Sequence, residues 1–253
     1  MTGWLASVAN DAEIARILPA APDILDLKDP AAGALGAWPV EHIATTLRAL
    51  AFLPGRPQLS ATIGDHPMKP DIVLPAARRV AETGVDFVKI GFTPEGAPDR
   101  CIDALAPLAA RGTRLIAVLL ADQWPTDPGC LPIDRIAAAG FAGAMLDTAG
   151  KRHGLRHHWP DGQLAAFVTC TRSLGLLTGL AGSLRVADIP ALLALSPDYL
   201  GFRGALCGGE RTADIDPQAV CRVAARMAGR PIPDPPIAAL TPRPTENGPA
   251  TGR

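Results

Sequence analysis

Eight short apolar runs, separated by segments of helical period in a chain of 253 residues, predict an α/β fold of one kind: a single (β/α)8 TIM barrel. The runs are residues 5–8, 24–28, 58–63, 87–91, 114–119, 143–146, 176–180 and 199–202. Each has strand length, and several are bounded by Pro, Gly or Asp, as parallel strands buried on both faces tend to be. Between them the period lengthens. Asp11-Ala-Glu-Ile-Ala-Arg-Ile-Leu opens at a capping aspartate, and 70–82 sets Val73, Leu74, Ala77, Val80 and Ala81 at helical spacing. Residues 132–139, 162–174, 186–195 and 217–227 read the same way. A doubly wound open sheet is the alternative topology. No Gly-x-Gly-x-x-Gly follows the first run, which weighs against its dinucleotide-binding form.

The barrel is expected to occupy residues 1–229. Beyond it the composition shifts: seven prolines crowd 230–253, which reads as a flexible Pro-rich tail without a catalytic role. With 48% hydrophobic residues the chain can bury one large core. A net charge of −1 with no basic stripe, and only 4% aromatics, argue against nucleic acid as a partner. The five cysteines form no Cys-x-x-Cys pair, so neither a disulfide framework nor a structural zinc site is expected. The N-terminus lacks a basic segment followed by a long apolar one, and no run approaches the roughly 18 apolar residues of a membrane span. The expectation is a soluble, cytoplasmic protein with a small-molecule partner. A homo-oligomer is neither required nor excluded.

Lysine usage points to the chemistry. Among 24 basic residues only Lys28, Lys69, Lys89 and Lys151 are lysines. Where arginine supplies most of the positive charge, a retained lysine marks a position where guanidinium will not serve. An amine can lose its proton and attack a carbonyl, whereas guanidinium stays charged. Lys28 ends the second run, Lys89 lies near the end of the fourth, and Asp147 directly follows the sixth, with Lys151 in the loop beyond. The C-terminal ends of barrel strands carry active sites, and even-numbered strands share interior layers, so these residues are expected to converge. Asp26 and Lys28 are two apart and share a strand face. A strand-end lysine is equally the form of a solvated charge or an ion-pair partner, as Lys69 exemplifies in its loop.

The late loops read as a phosphate cradle. Run seven leads into Gly182-Ser183, and run eight into Arg203-Gly204 with Gly208-Gly209 following. Glycines there let backbone N–H groups approach an anion, and Arg203 offers a charged fork. Glycines also simply turn a chain. Thr62 and Asp65, at the end of run three, are candidates for orienting substrate or a lysine; capping the next helix is the other reading of Asp65. His153 and His157 have metal-ligand spacing on a helix, but Gly154 and neighbouring arginines favour a solvated loop. Cys207 reads as a small packed residue rather than a nucleophile, since no histidine adjoins it in sequence.

Taken in order, these segments resemble one family. They are Asp23-Ile-Leu-Asp-Leu-Lys-Asp-Pro with Gly33-Ala-Leu-Gly-Ala; Ser60-Ala-Thr-Ile-Gly-Asp; Val85-Asp-Phe-Val-Lys-Ile-Gly; Leu146-Asp-Thr-Ala-Gly-Lys; Leu180-Ala-Gly-Ser-Leu; and Phe202-Arg-Gly-Ala-Leu-Cys-Gly-Gly. From about Leu5 to Met227 the chain is similar to the (5-formylfuran-3-yl)methyl phosphate synthases, also called 4-(hydroxymethyl)-2-furancarboxaldehyde-phosphate synthases, of methanofuran biosynthesis. The resemblance implies a TIM barrel acting as a carbon–oxygen lyase. It would condense two molecules of glyceraldehyde 3-phosphate with loss of phosphate and water, and need no metal or organic cofactor. It implies a Schiff base at Lys28, a proton acceptor at Lys89 and further active-site groups at Asp147 and Lys151. On physical grounds, Asp26 and Asp147 are expected to position the lysines and shuttle protons. Strand five departs from the family pattern at Val118-Leu-Leu-Ala-Asp122, which implies a more apolar pocket wall, and Arg-His-Gly follows Lys151 where an acidic turn is expected. Two other readings stand beside it: a different Schiff-base aldolase acting on a sugar phosphate, and a non-catalytic barrel that binds a phosphate ligand.

Overall fold

A computed structural model of the chain describes residues 1–150 and 152–229. Eight parallel strands close in sequence order: β1 (Gly3–Val8), β2 (Ile24–Leu27), β3 (Gln58–Thr62), β4 (Phe87–Phe92), β5 (Leu115–Leu120), β6 (Gly143–Asp147), β7 (Leu177–Leu180) and β8 (Tyr199–Phe202), with β8 pairing back onto β1. Around them run α1 (Asp11–Ile17), α2 (Val40–Leu50), α3 (Pro70–Ala81), α4 (Pro98–Ala110), α5 (Ile133–Ala138), α6 (Leu155–His158), α7 (Asp161–Ser173), α8 (Ile189–Ala194) and α9 (Pro217–Met227). The barrel, not the open sheet, is the fold.

All eight strands lie within two residues of their expected bounds, whereas the helices differ more. Neither α2 nor α4 is among the helices the sequence predicts. The cap of α1 is Asn10, whose side chain accepts from the Glu13 N–H, so Asp11 is already inside the helix. The segment expected as one helix over 186–195 opens as a 3-10 turn at Val186–Asp188. The α-helix starts only at Ile189, because Pro190 fits the first turn and not the interior. Residues 155–158, read as loop, form one helical turn. The Pro-rich stretch 230–253 lies outside the described residues.

Strand alternation sorts the apolar residues into two cores. Leu25, Leu27, Val88, Ile90, Ala117 and Leu119 face outward and pack under the helices. Leu5, Ile24, Phe87, Ile116, Met145 and Tyr199 face inward and fill the lower barrel. A one-residue slip would exchange these faces, and three aspartates at the strands' N-terminal ends oppose it. Asp23, Asp86 and Asp198 precede β2, β4 and β8, and each carboxylate accepts a backbone N–H from the preceding strand: Trp4 at 2.8 Å, Leu59 at 2.7 Å and Thr178 at 2.7 Å. Burial pushes the Asp86 carboxyl up, but the Arg56 guanidinium and the Leu59 N–H together hold it below its ordinary value.

At the opposite end, the loop after β2 folds Leu35 into the barrel mouth. Its side chain lies where a Cβ on Gly91 would sit, and its N–H is held by the Asp65 carboxylate at 3.1 Å. Gly179 is needed in the same way lower down, since the Tyr199 ring occupies the space a Cβ would take. Gly179→Ala must displace that buried ring. The expected loss is about 1–3 kcal/mol in a urea denaturation series, with the barrel fold retained.

Candidate active site

The C-terminal mouth holds two buried lysine–aspartate pairs on three strands. Lys89 of β4 donates to Asp26 of β2 at 2.9 Å, and both side chains are almost wholly shielded from solvent, Asp26 at 0% and Lys89 at 2% exposure. One layer higher, Lys28 reaches Asp147 at the end of β6 at 3.4 Å. The other Asp147 oxygen accepts the Thr148 N–H at 2.7 Å. Even-numbered strands thus supply all four groups to one interior.

Strand register explains the order. Ser7, Asp26 and Ser60 lie side by side on β1, β2 and β3. Ser60 donates to Asp26 Oδ1 at 2.7 Å; Ser7 and Lys89 both donate to Oδ2, each at 2.9 Å. Burial pushes the Asp26 carboxyl up, but Lys89, Lys28 and the Ser60 hydroxyl outweigh it and hold the group below the ordinary aspartate value.

Above the lysines opens a cavity of about 430 Å³, a size suited to a small metabolite. Lys28, Lys89 and Asp147 line its floor with Ser7. Gly182, Ser183, Gly204, Gly208 and Gly209 line its far wall. Gly182 is required twice over: its φ is +100°, and a Cβ would meet Thr148 Cγ2 at 2.9 Å. Ser183 follows with φ +49°, so the β7 exit turns sharply across the loop after β6. Gly208 and Gly209 also have positive φ, with open space where a Cβ would stand. After β8 comes the 3-10 turn Gly204–Leu206, whose Gly204 and Ala205 border the cavity.

Not every expected site residue reaches the cavity. Thr62 is buried and donates to the Gly36 carbonyl at 2.9 Å. Asp65 holds Leu35 and does not cap a helix. Both therefore shape the β2 loop and lie outside the cavity lining. Arg203 borders the cavity with its guanidinium fully engaged. Nε donates to the Arg211 carbonyl at 2.7 Å, Nη1 to Glu13 and to the Ser7 carbonyl at 3.3 Å, and Nη2 to Glu13 at 3.1 Å and to the Ala213 carbonyl at 2.9 Å. A guanidinium has five N–H groups, so the expected fork instead ties the β8 loop to β1 and α1. Lys151 lies outside the described residues.

Sequence reasoning missed several groups. Ser7 and Glu13 form the seam just described. Asp122, which the sequence showed only as the end of the strand-five departure, accepts the N–H groups of Ala149 at 2.8 Å and Gly150 at 2.7 Å, and so fixes the loop that continues from Asp147. Arg152, Arg185, Arg211 and Arg222 border the cavity and make its rim cationic; the arginines of the loops after β6, β7 and β8 were the available signal for the first three, while Arg222 lies within α9. The rings of His153 and His157 stack at 4.1 Å, and no metal-competent group of three His, Cys, Asp or Glu occurs among the described residues. Cys207 is buried, and that burial pushes its thiol up to about 11, which disfavours the nucleophilic thiolate.

A closed barrel with paired lysines and aspartates beneath a glycine-walled, cationic mouth defines a (β/α)8-barrel enzyme of the kind that works at its C-terminal face. The chain belongs to the 4-HFC-P synthase family, whose model matches residues 4–224. A Methylorubrum extorquens protein assigned provisionally to (5-formylfuran-3-yl)methyl phosphate synthase is 43% identical over 234 residues, covering 91% of this chain and 93% of its own. Proteins named (5-formylfuran-3-yl)methyl phosphate synthase from Methanosarcina mazei (31% identity; 80% and 89% coverage) and Archaeoglobus fulgidus (30%; 89% and 99%) are similar as well. Among solved structures, 3-hexulose-6-phosphate synthase from Salmonella typhimurium (TM-score 0.64, 12% identity, 90% and 99% coverage) and 3-keto-L-gulonate-6-phosphate decarboxylase from Vibrio cholerae (0.60, 12%, 90% and 98%) share the fold. No helix among the described residues is long and apolar enough to cross a membrane.

The Asp26 carboxyl titrates below its unfolded value, so its contribution to stability is complete above about pH 4 and is lost as pH falls through the folded value. Urea midpoints are expected to hold from neutrality to about pH 4 and then to drop. Asp26→Ala leaves Lys89 buried without its counter-ion and is expected to cost about 3–5 kcal/mol at pH 7.

Proposed function

We propose that the chain condenses two molecules of glyceraldehyde 3-phosphate into (5-formylfuran-3-yl)methyl phosphate, with loss of phosphate and water, as a carbon–oxygen lyase of methanofuran biosynthesis. The observation that carries this reading is the convergence of Lys28, Lys89 and Asp147 on one cavity floor opposite the glycine loops after β7 and β8. The Lys28 amine attacks a triose carbonyl and forms an iminium, which acidifies the adjacent carbon. Lys89 removes that proton, and the resulting enamine attacks the second aldehyde. Asp147 orients Lys28 and Asp26 orients Lys89. Phosphate elimination and dehydration then drive aromatisation. The cationic rim favours a phosphorylated substrate over a neutral one. The protein works in the cytoplasm on this small molecule, and its catalytic unit is the barrel of residues 1–229.

Borohydride reduction in the presence of glyceraldehyde 3-phosphate, followed by peptide mapping, is expected to trap substrate on Lys28. Pure protein and that substrate should release phosphate while an ultraviolet-absorbing furan aldehyde appears. Lys28→Arg keeps the charge but cannot form an imine, and turnover should fall by about 10³-fold or more with the fold intact. A variant that retains substantial activity refutes the imine assignment.

A further inference from the structure

Asp26 touches both lysines electrostatically, yet it does not line the cavity. Its carboxylate is fully shielded and meets the outside through two neighbours on the same oxygen, Lys89 Nζ and Ser7 Oγ, each at 2.9 Å from Oδ2. Both of these line the cavity. The third partner, Ser60, bonds the other oxygen and faces a small void beneath the site instead. The three donors are therefore inequivalent. Two give onto the substrate space and share one acceptor atom; one is internal.

We propose that Ser7 is a proton-transfer residue, the exit of a relay that runs from Lys89 through Asp26 to the substrate. The proposal rests on the imine reading above. Lys89 Nζ first gives an ammonium proton to Asp26 Oδ2, and the amine so freed takes the proton from the carbon next to the iminium. Ser7 Oγ then takes the Asp26 proton while giving its own to the substrate oxygen that departs. One proton leaves carbon, one arrives at oxygen, and lysine, carboxylate and serine end as they began. Such a path restores the base without bulk water, which the near-complete burial of Asp26 and Lys89 keeps away. The Ser7 carbonyl accepts from Arg203 Nη1 at 3.3 Å, and the Arg203–Glu13 pair anchors the strand end so that the hydroxyl keeps its place.

Ser7→Ala, Ser7→Thr and Ser60→Ala separate this role from simple support of Asp26. In Ser7→Ala, borohydride trapping at Lys28 is expected to persist. Phosphate release should fall by about 10²-fold, in the range of general acid catalysis, with KM within about threefold. Ser7→Thr keeps a hydroxyl and should recover most of the rate; Ser60→Ala, which weakens only the hold on Asp26, should lose markedly less than Ser7→Ala. Release from Ser7→Ala at the wild-type rate overturns the relay, as does an equal loss in Ser60→Ala or a Thr variant no better than Ala. Wild-type protein that is not trapped at all overturns the imine reading instead, so the two failures are distinguishable.

Discussion

One buried carboxylate organises the upper half of this barrel. An aspartate taken wholly out of water costs several kcal/mol unless charge and hydrogen bonds compensate. Asp26 receives two hydroxyls and an ammonium-bearing side chain from three neighbouring strands. Those requirements dictate residue types that packing alone would not select: serines at 7 and 60 and a lysine at 89, in positions that otherwise read as apolar strand interior. The pair is weak evidence for stability, since a well-packed apolar replacement would serve the fold as well. Its physical effect is orientation. With Lys89 held from below, Lys28, two residues along the same strand face, emerges one layer higher against Asp147.

The cavity is one-sided for reasons of packing and not of chemistry. Leu35 closes the mouth over Gly91, so open space remains toward β1, β7 and β8, where Gly201, Ala181 and Gly182 offer little side chain. Asp65 and Thr62 act at a distance by holding the loop that carries Leu35. Arg203 does the equivalent on the far side through its bonds to Glu13 and to two loop carbonyls. Residues that looked like ligand contacts in a linear chain thus serve as fasteners, and the cationic groups facing the cavity come from less conspicuous arginines.

Strands were legible because burial on both faces leaves short, unbroken apolar runs that few other elements imitate. Lys28, Lys89 and Asp147 were legible for a related reason: a charge at the end of such a run has little to do but face the mouth. The omission of α2 and α4 has no such physical cause: α4 opens on Pro98 and carries Pro107 within it, yet α3, which opens on Pro70 and carries Pro75, was legible. Ser7 was invisible because a serine in an apolar run acquires meaning only from the strand beside it, and register is a tertiary property. The bonds that occupy Arg203 were hidden for the same cause, since the saturation of a guanidinium depends on carbonyls from loops far away in sequence.

The three aspartates that pin Trp4, Leu59 and Thr178 sit at the pole of the barrel remote from the lysines. Alignment of the strands is thereby secured where no substrate arrives. Evolution, or a designer, can accordingly rewrite the reactive pole one loop at a time while the far pole keeps the staves in step, so new chemistry need not be purchased with misfolding.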